Sequence, residues 1–226
     1  MGTRFGIVAA RVGWRQFIAA LSELTGNFIA RGSVQLLDVC DLNATDDGVV
    51  VVGGEHGSSS YLVDTSKILA TDFDLLADLS RRLGCTVAGC CGEAASGSYY
   101  WMLAENGEVR RLYGNCRSTM REPFQIGAPL GTEAVAPLED PHCDGLMRAL
   151  EHAGFEYSAW TARGSNTAYL YAGKRLPAKA KGPLRTAFDT HSKQKPRVVS
   201  RFLKDGTVAY EFIGELPIRE LAHAQL

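Results

Sequence analysis

No apolar run in this sequence approaches the roughly 18–20 residues that a membrane-spanning helix requires. The first apolar stretch, residues 5–10, meets Arg11 and Arg15 too soon to form the core of a secretory signal. Neither a Cys-x-x-Cys pair nor a His-Glu-x-x-His segment occurs, which removes the commonest zinc sites. A Gly-x-Ser-x-Gly elbow is missing, against the usual serine hydrolase. Gly173-Lys174 is preceded, five positions before the glycine, by Ala168, so no phosphate-cradling loop forms there. Asp72, Asp74 and Asp78 lack the glycine and closing glutamate of a calcium loop. No metal and no cofactor is expected.

The chain does carry six cysteines, Cys40, Cys85, Cys90, Cys91, Cys116 and Cys143. With no secretory signal in view they are expected to be reduced, in a cytoplasmic protein. Adjacent Cys90 and Cys91 on a strand would point to opposite faces, one into the core and one outward. The net charge of −1 conceals a division. Residues 1–150 hold 12 Lys/Arg against 18 Asp/Glu, and residues 151–226 hold 12 against 7. Between Arg163 and Arg201 stand ten basic residues and one acid, Asp189, a bias that would steer an acidic partner.

Periodicity predicts an α+β protein of antiparallel or mixed sheets with a few packed helices. Residues 4–10 form a strand; Trp14, Phe17, Ile18, Leu21 and Leu24 then follow helical spacing up to Gly26. Residues 34–39 make a further strand candidate, and residues 49–52 and 60–63 a hairpin. The clearest block is 71–113. There Thr71 or Asp72 caps a helix, Arg81 and Arg82 occupy its last turn and Gly84 stops it, before a meander that turns at Asn106-Gly107. Residues 115–141, with four prolines, are expected to be an irregular connector between subdomains 1–114 and 142–226. In the second subdomain a helix from Asp140 or His142 to His152 would precede strands at 157–160 and 167–171. That arrangement loosely echoes the helix and hairpin of 71–113, so two similar subdomains are expected. A basic extended connector, residues 173–196, would lead to a hairpin turning at Asp205-Gly206.

Three groups of residues invite chemistry. Glu55 and His56, in the glycine-rich segment 53–57, offer a carboxylate and an imidazole suited to acid–base work in a hydrolase or transferase. A plain turn between strands explains them as well. His142-Cys143-Asp144 with His152 contains ligand types, but ten residues of helix set the two histidines about 15 Å apart, too far for one ion. Trp160, Arg163, Tyr171, Lys174 and Arg175 mix aromatics with cations, within a basic region 157–201. They are the candidate binding residues, for an acidic protein surface first and for nucleic acid second, since no RNP, KH or helix-turn-helix signature accompanies them.

Leu79-Ser80-x-x-Leu83-Gly84-x-x-Val87, then Trp101, Asn106-Gly107-Glu108-x-x-Arg111-x-Tyr113 and Gly127-x-Pro129-Leu130, carry a family likeness. The pattern resembles uncharacterised bacterial proteins in which a helix, a three-stranded meander and a Gly-x-Pro loop recur. Some of these are similar to immunity proteins of polymorphic toxin systems. The resemblance covers residues 79–130, mostly folding signals, and transfers no functional residue. It implies a non-enzymatic, cytoplasmic bacterial protein that binds another protein, such as a toxin it neutralises.

Overall fold

A computed structural model describes residues 4–26, 28–34, 48–64, 67–93, 96–117, 120, 122–139, 143–161, 168–174, 182–192, 197–202 and 208–213. In chain order the elements begin β1 (Arg4–Ala10), α1 (Trp14–Thr25), β2 (Phe28–Val34), β3 (Gly48–His56), β4 (Ser59–Asp64) and α2 (Phe73–Leu83). A meander follows, β5 (Thr86–Glu93), β6 (Ser98–Glu105), β7 (Glu108–Cys116) and β8 (Phe124–Ile126), and then a 3₁₀ turn at Gly131–Ala134. The remainder is α3 (Asp144–His152), α4 (Tyr157–Thr161), β9 (Ala168–Lys174), α5 (Pro183–Ser192), β10 (Arg197–Phe202) and β11 (Val208–Ile213).

Nine strands form one sheet in the order β2-β9-β3-β4-β1-β5-β6-β7-β8, every pair antiparallel. The fold is α+β. Helices cover both faces. Val8, Ala10, Leu62, Val87, Cys91, Met102 and Leu112 meet α1, α2 and Phe188 of α5 on one side. Ile7, Ala9, Tyr61, Ala88, Cys90, Trp101 and Tyr113 meet α3 and Phe155 on the other. Cys90 and Cys91 do point to opposite faces, yet both are buried, at 0% and 2% exposure. The expectation that one would reach solvent fails because the sheet has no wet face here.

Local chemistry accounts for the best-defined block. The Asp72 side chain accepts from Leu75 N–H at 3.0 Å, and Gly84 ends α2 in the left-handed conformation. Asn106 and Gly107 both take positive φ, 51° and 86°, as a tight primed hairpin turn demands. Helix α1 has no cap of its own at Gly13, so a distant carboxylate serves it, as described below.

Several expectations are corrected. Residues 157–160 are helical, not a strand: α4 opens with Tyr157, whose ring packs 6.1 Å from that of buried Tyr61. The unit 142–171 is therefore no helix-plus-hairpin copy of 71–113. Among its described residues the strand is β9, which inserts between β2 and β3, so residues on either side of the 115–141 connector share a single sheet. The basic connector contains α5, with Pro183 at its first position, where a missing N–H costs nothing. Asp74 of α2 then accepts from Leu184 and Arg185 N–H at 3.1 and 3.0 Å, holding that helix start. A strand not foreseen lies at Phe28–Val34, while the candidate at 34–39 falls, but for Val34, outside the described residues, as do residues 40–47 and 214–226.

Gly53 shows how tightly α1 is seated. A Cβ there would lie 2.2 Å from Trp14 Cη2 and 2.7 Å from the Tyr61 carbonyl oxygen. Gly53→Ala is expected to destabilise the fold by about 1–3 kcal/mol through overpacking, read from the midpoint of urea unfolding. Substituting the exposed Gly57 gives no such contact to violate, although its φ of 58° makes Asn the proper control.

Candidate functional site

Neighbouring residues on a strand face opposite ways, and this separates the pair Glu55 and His56. Glu55 points to the α1 side, where its Oε2 accepts from Trp14 N–H at 2.8 Å and serves the otherwise uncapped start of that helix. His56 points to the other side and places Nε2 3.4 Å from Glu156 Oε2. The structure thus does not bring the two together as an acid–base pair. One acts as a helix-end acceptor and the other as the imidazole half of a contact with a surface carboxylate.

The aromatic and cationic candidates are also divided. Trp160 lies on α4, while Tyr171 and Lys174 lie on β9. Tyr171 is registered between Ala30 and Val51, in the interior of the sheet, and Lys174 pairs with Gly48 at its margin. Arg163 and Arg175 fall outside the described residues. Arg185 is engaged by Asp189 at 3.0 Å and lies over the Phe188 ring. No group of three metal-ligating side chains gathers among the described residues. Of the histidine–cysteine group, Cys143 is buried ahead of α3 and Asp144 is exposed at its first turn, whereas His142 lies outside the described residues.

The densest polar construction in the described chain lies beneath residues 122–139. Arg111 of β7 is 1% exposed, on the face that carries Trp101 and Tyr113. Glu133 of the 3₁₀ turn meets it side-on: Nε donates to Oε1 at 2.9 Å and Nη2 to Oε2 at 2.6 Å. Nη2 also donates to Gln125 Oε1 at 3.1 Å, and Nη1 to the Gly127 carbonyl at 3.2 Å. Glu133 Oε1 accepts from Leu130 N–H as well, at 3.0 Å, closing the turn. A guanidinium is the right group for this work, because its fixed fork reaches several acceptors at once.

A second network lies alongside. Glu139 accepts from Tyr113 O–H and Asn115 Nδ2 on Oε1, and from Arg117 Nε on Oε2 at 3.0 Å. Burial opposes its charge, but the hydrogen bonds from Tyr113, Asn115 and Arg117 outweigh that, and its pKa is lowered. Burial and the Glu139 carboxylate together push the Tyr113 phenol upward, so it stays a donor. Two ends of the excursion are therefore tied to one strand. Between the ties the chain turns Ala128, Pro129, Gly131, Ala134, Val135 and Pro137 to solvent, Val135 at 79% exposure.

This surface was reached from the sequence only as an irregular connector. Arg111, Glu133 and Glu139 gave no motif, because their partners are 22 and 26 residues apart and unrelated in spacing. The one signal was an arginine in the core-facing alternation of β7, which needs an acid from elsewhere. No protein-family model matches the chain, and no curated protein or solved structure matches it significantly.

Two outcomes follow from these networks. Arg111→Met removes one partner of a buried pair and is expected to cost about 3–5 kcal/mol in urea unfolding, more than the double variant with Glu133→Gln. Glu139, with its folded pKa below the unfolded value, contributes stability above the ordinary carboxylate range that is lost as pH falls through the folded pKa. Thermal unfolding from pH 6 down to about pH 3 is expected to fall more steeply in the wild type than in Glu139→Gln.

Proposed function

We propose that this chain is a protein-binding protein, of the kind represented by bacterial immunity proteins, and that residues 128–137 form its docking surface. The observation that carries the reading is the tethering of that segment. Arg111 holds its beginning and middle through Gly127 and Glu133, and the strand β7 holds its end through Glu139. A loop fixed before binding gives up little conformational freedom on binding, so an exposed apolar tip such as Val135 keeps its full contribution. The partner we assign is a protein with an acidic surface. The ten Lys/Arg against one acid between Arg163 and Arg201 support that choice through electrostatic steering.

The geometry lends less to a hydrolase or transferase at Glu55 and His56, whose side chains are occupied on opposite faces of β3. No particular observation favours nucleic acid over a protein.

The test is co-expression with each gene adjacent to its own, purification of any stoichiometric complex, and growth protection where the neighbour is toxic. Val135→Asp is expected to weaken such a complex at least about tenfold, the equivalent of 1.4 kcal/mol, while leaving the unfolding midpoint unchanged. Absence of a complex with every neighbour, or a complex indifferent to Val135→Asp and to Pro129→Asp, overturns the proposal.

A further inference from the structure

The nine-stranded sheet ends in two unlike edges. At one end stands β2, seven residues long, whose pairing with β9 is interrupted by a bulge between Ala30 and Gly32. A bulge is a common guard against stray pairing along an edge strand. At the other end stands β8, Phe124–Ile126, paired on one side with Leu112, Tyr113 and Gly114 of β7. Among the described residues no strand pairs with its other side. β8 holds no lysine, no proline and no bulge; its shortness is its guard, with Pro123 just ahead of it.

Both faces of β8 have packed neighbours, which leaves its hydrogen-bonding side as the open one. Phe124 and Ile126 pack with the core of α2 and α5, and the Phe124 ring lies 5.7 Å from that of Phe188 and 5.6 Å from that of His191. Gln125 turns the opposite way, and its Oε1 accepts from Arg111 Nη2 at 3.1 Å. Even so, Gln125 is exposed and Phe124 and Ile126 are half-buried, whereas the three residues they pair with on β7 are all buried. The chain then leaves the edge without closing it. Gly127 takes a φ of 75°, and Arg111 Nη1 donates to its carbonyl at 3.2 Å, where the docking segment 128–137 begins. In a strand the N–H and C=O of every second residue point away from the paired neighbour, and here they point past the edge of the sheet.

We propose that β8 is a pairing edge for the protein partner, which lays an extended strand of its own along Phe124–Ile126 while residues 128–137 meet its surface. The inference rests on the protein-binding reading above and adds the manner of recognition. A row of main-chain groups selects an extended polypeptide, since neither a helix nor a nucleic acid presents donors and acceptors at the strand repeat. The incoming strand alternates. Its residues on the α5 side lie beside Phe124 and Ile126 and are apolar, and those on the other side lie beside Gln125 and are polar. A second copy of this chain is a poorer occupant. Pairing with itself would rest on a ladder of three residues bounded by Pro123 and the turn at Gly127, far less than two copies need to stay together. A partner that reads the contiguous segment 128–137 adds the missing contact.

The measurement is hydrogen–deuterium exchange, read by mass spectrometry on the full chain alone and in the purified complex with the product of an adjacent gene. Amides of Phe124–Ile126 are expected to exchange at least about tenfold more slowly in the complex, while those of α1 keep their rate. Unchanged exchange at β8, in a complex that Val135→Asp weakens, overturns this inference and leaves the protein-binding reading standing. Equal slowing of α1 and β8 overturns it too, because general stabilisation then accounts for both. Slowing at β8 in the chain alone as its concentration rises assigns the edge to a second copy, against the proposal. Failure to form a complex with any neighbour removes the protein-binding reading, and this inference with it.

Discussion

The covering of the sheet on both faces governs nearly everything else in this molecule. An antiparallel sheet more often keeps one face in water, which lets strands alternate apolar and polar residues. Here β1, β5 and β6 send consecutive side chains into two separate cores, so Ile7 and Val8, Cys90 and Cys91, and Trp101 and Met102 are all buried. Helices must then come from both sides, and each needs its ends satisfied close to the sheet, where water is scarce. The chain meets this need with side chains from other elements. Glu55 of β3 serves the start of α1, Asp74 of α2 serves the start of α5, and Arg11 after β1 donates to the Ala153 carbonyl at the end of α3. Helix ends and sheet are joined by the same bonds, so a helix that came loose would also expose its own orphaned backbone groups.

The polar groups buried under residues 122–139 follow from the same constraint. Around Arg111 the face of β7 would be apolar if α3, which reaches the cluster containing Tyr113, extended over it as well. A short 3₁₀ turn and a proline-bearing segment cover it instead, and such backbone brings carbonyls that no ladder satisfies. Arg111 answers one of them, at Gly127, together with the side-chain oxygen of Gln125, and Glu133 balances its charge. A buried pair of this sort adds little net stability over a well-packed apolar pair, but it fixes where the two elements meet. Geometry, more than energy, is what the pair supplies.

How much of this the sequence disclosed depends on the range of the interactions. The block from Asp72 to Tyr113 was legible because its signals are local: a cap three residues from its N–H, a stop glycine, and Asn106-Gly107 in a primed turn. The class of fold was legible for the same reason. Residues 157–160 misled because aromatics favour strands by composition, whereas the three-residue spacing of Tyr157 and Trp160 is helical, and Tyr157 packs on Tyr61 from α4. Helix α5 was hidden because its leading carboxylate, Asp74, is more than a hundred residues away. The glycines near Glu55 suggested a flexible active loop, when Gly53 is small because Trp14 occupies the space its side chain would need.

The position of β9 bears on how the chain is assembled as it is made. Strands β2 and β3 are synthesised early, yet they are held apart in the finished sheet by a strand that follows them by more than a hundred residues. During translation β1, β4 and the meander from β5 to β8 have neighbours available at once, whereas β2 has none until β9 leaves the ribosome. Its backbone donors and acceptors stay open through that interval, beside a β3 edge with which it must not pair. The nascent chain is thus asymmetric in time: one half of the sheet closes in order, and the other waits for a keystone.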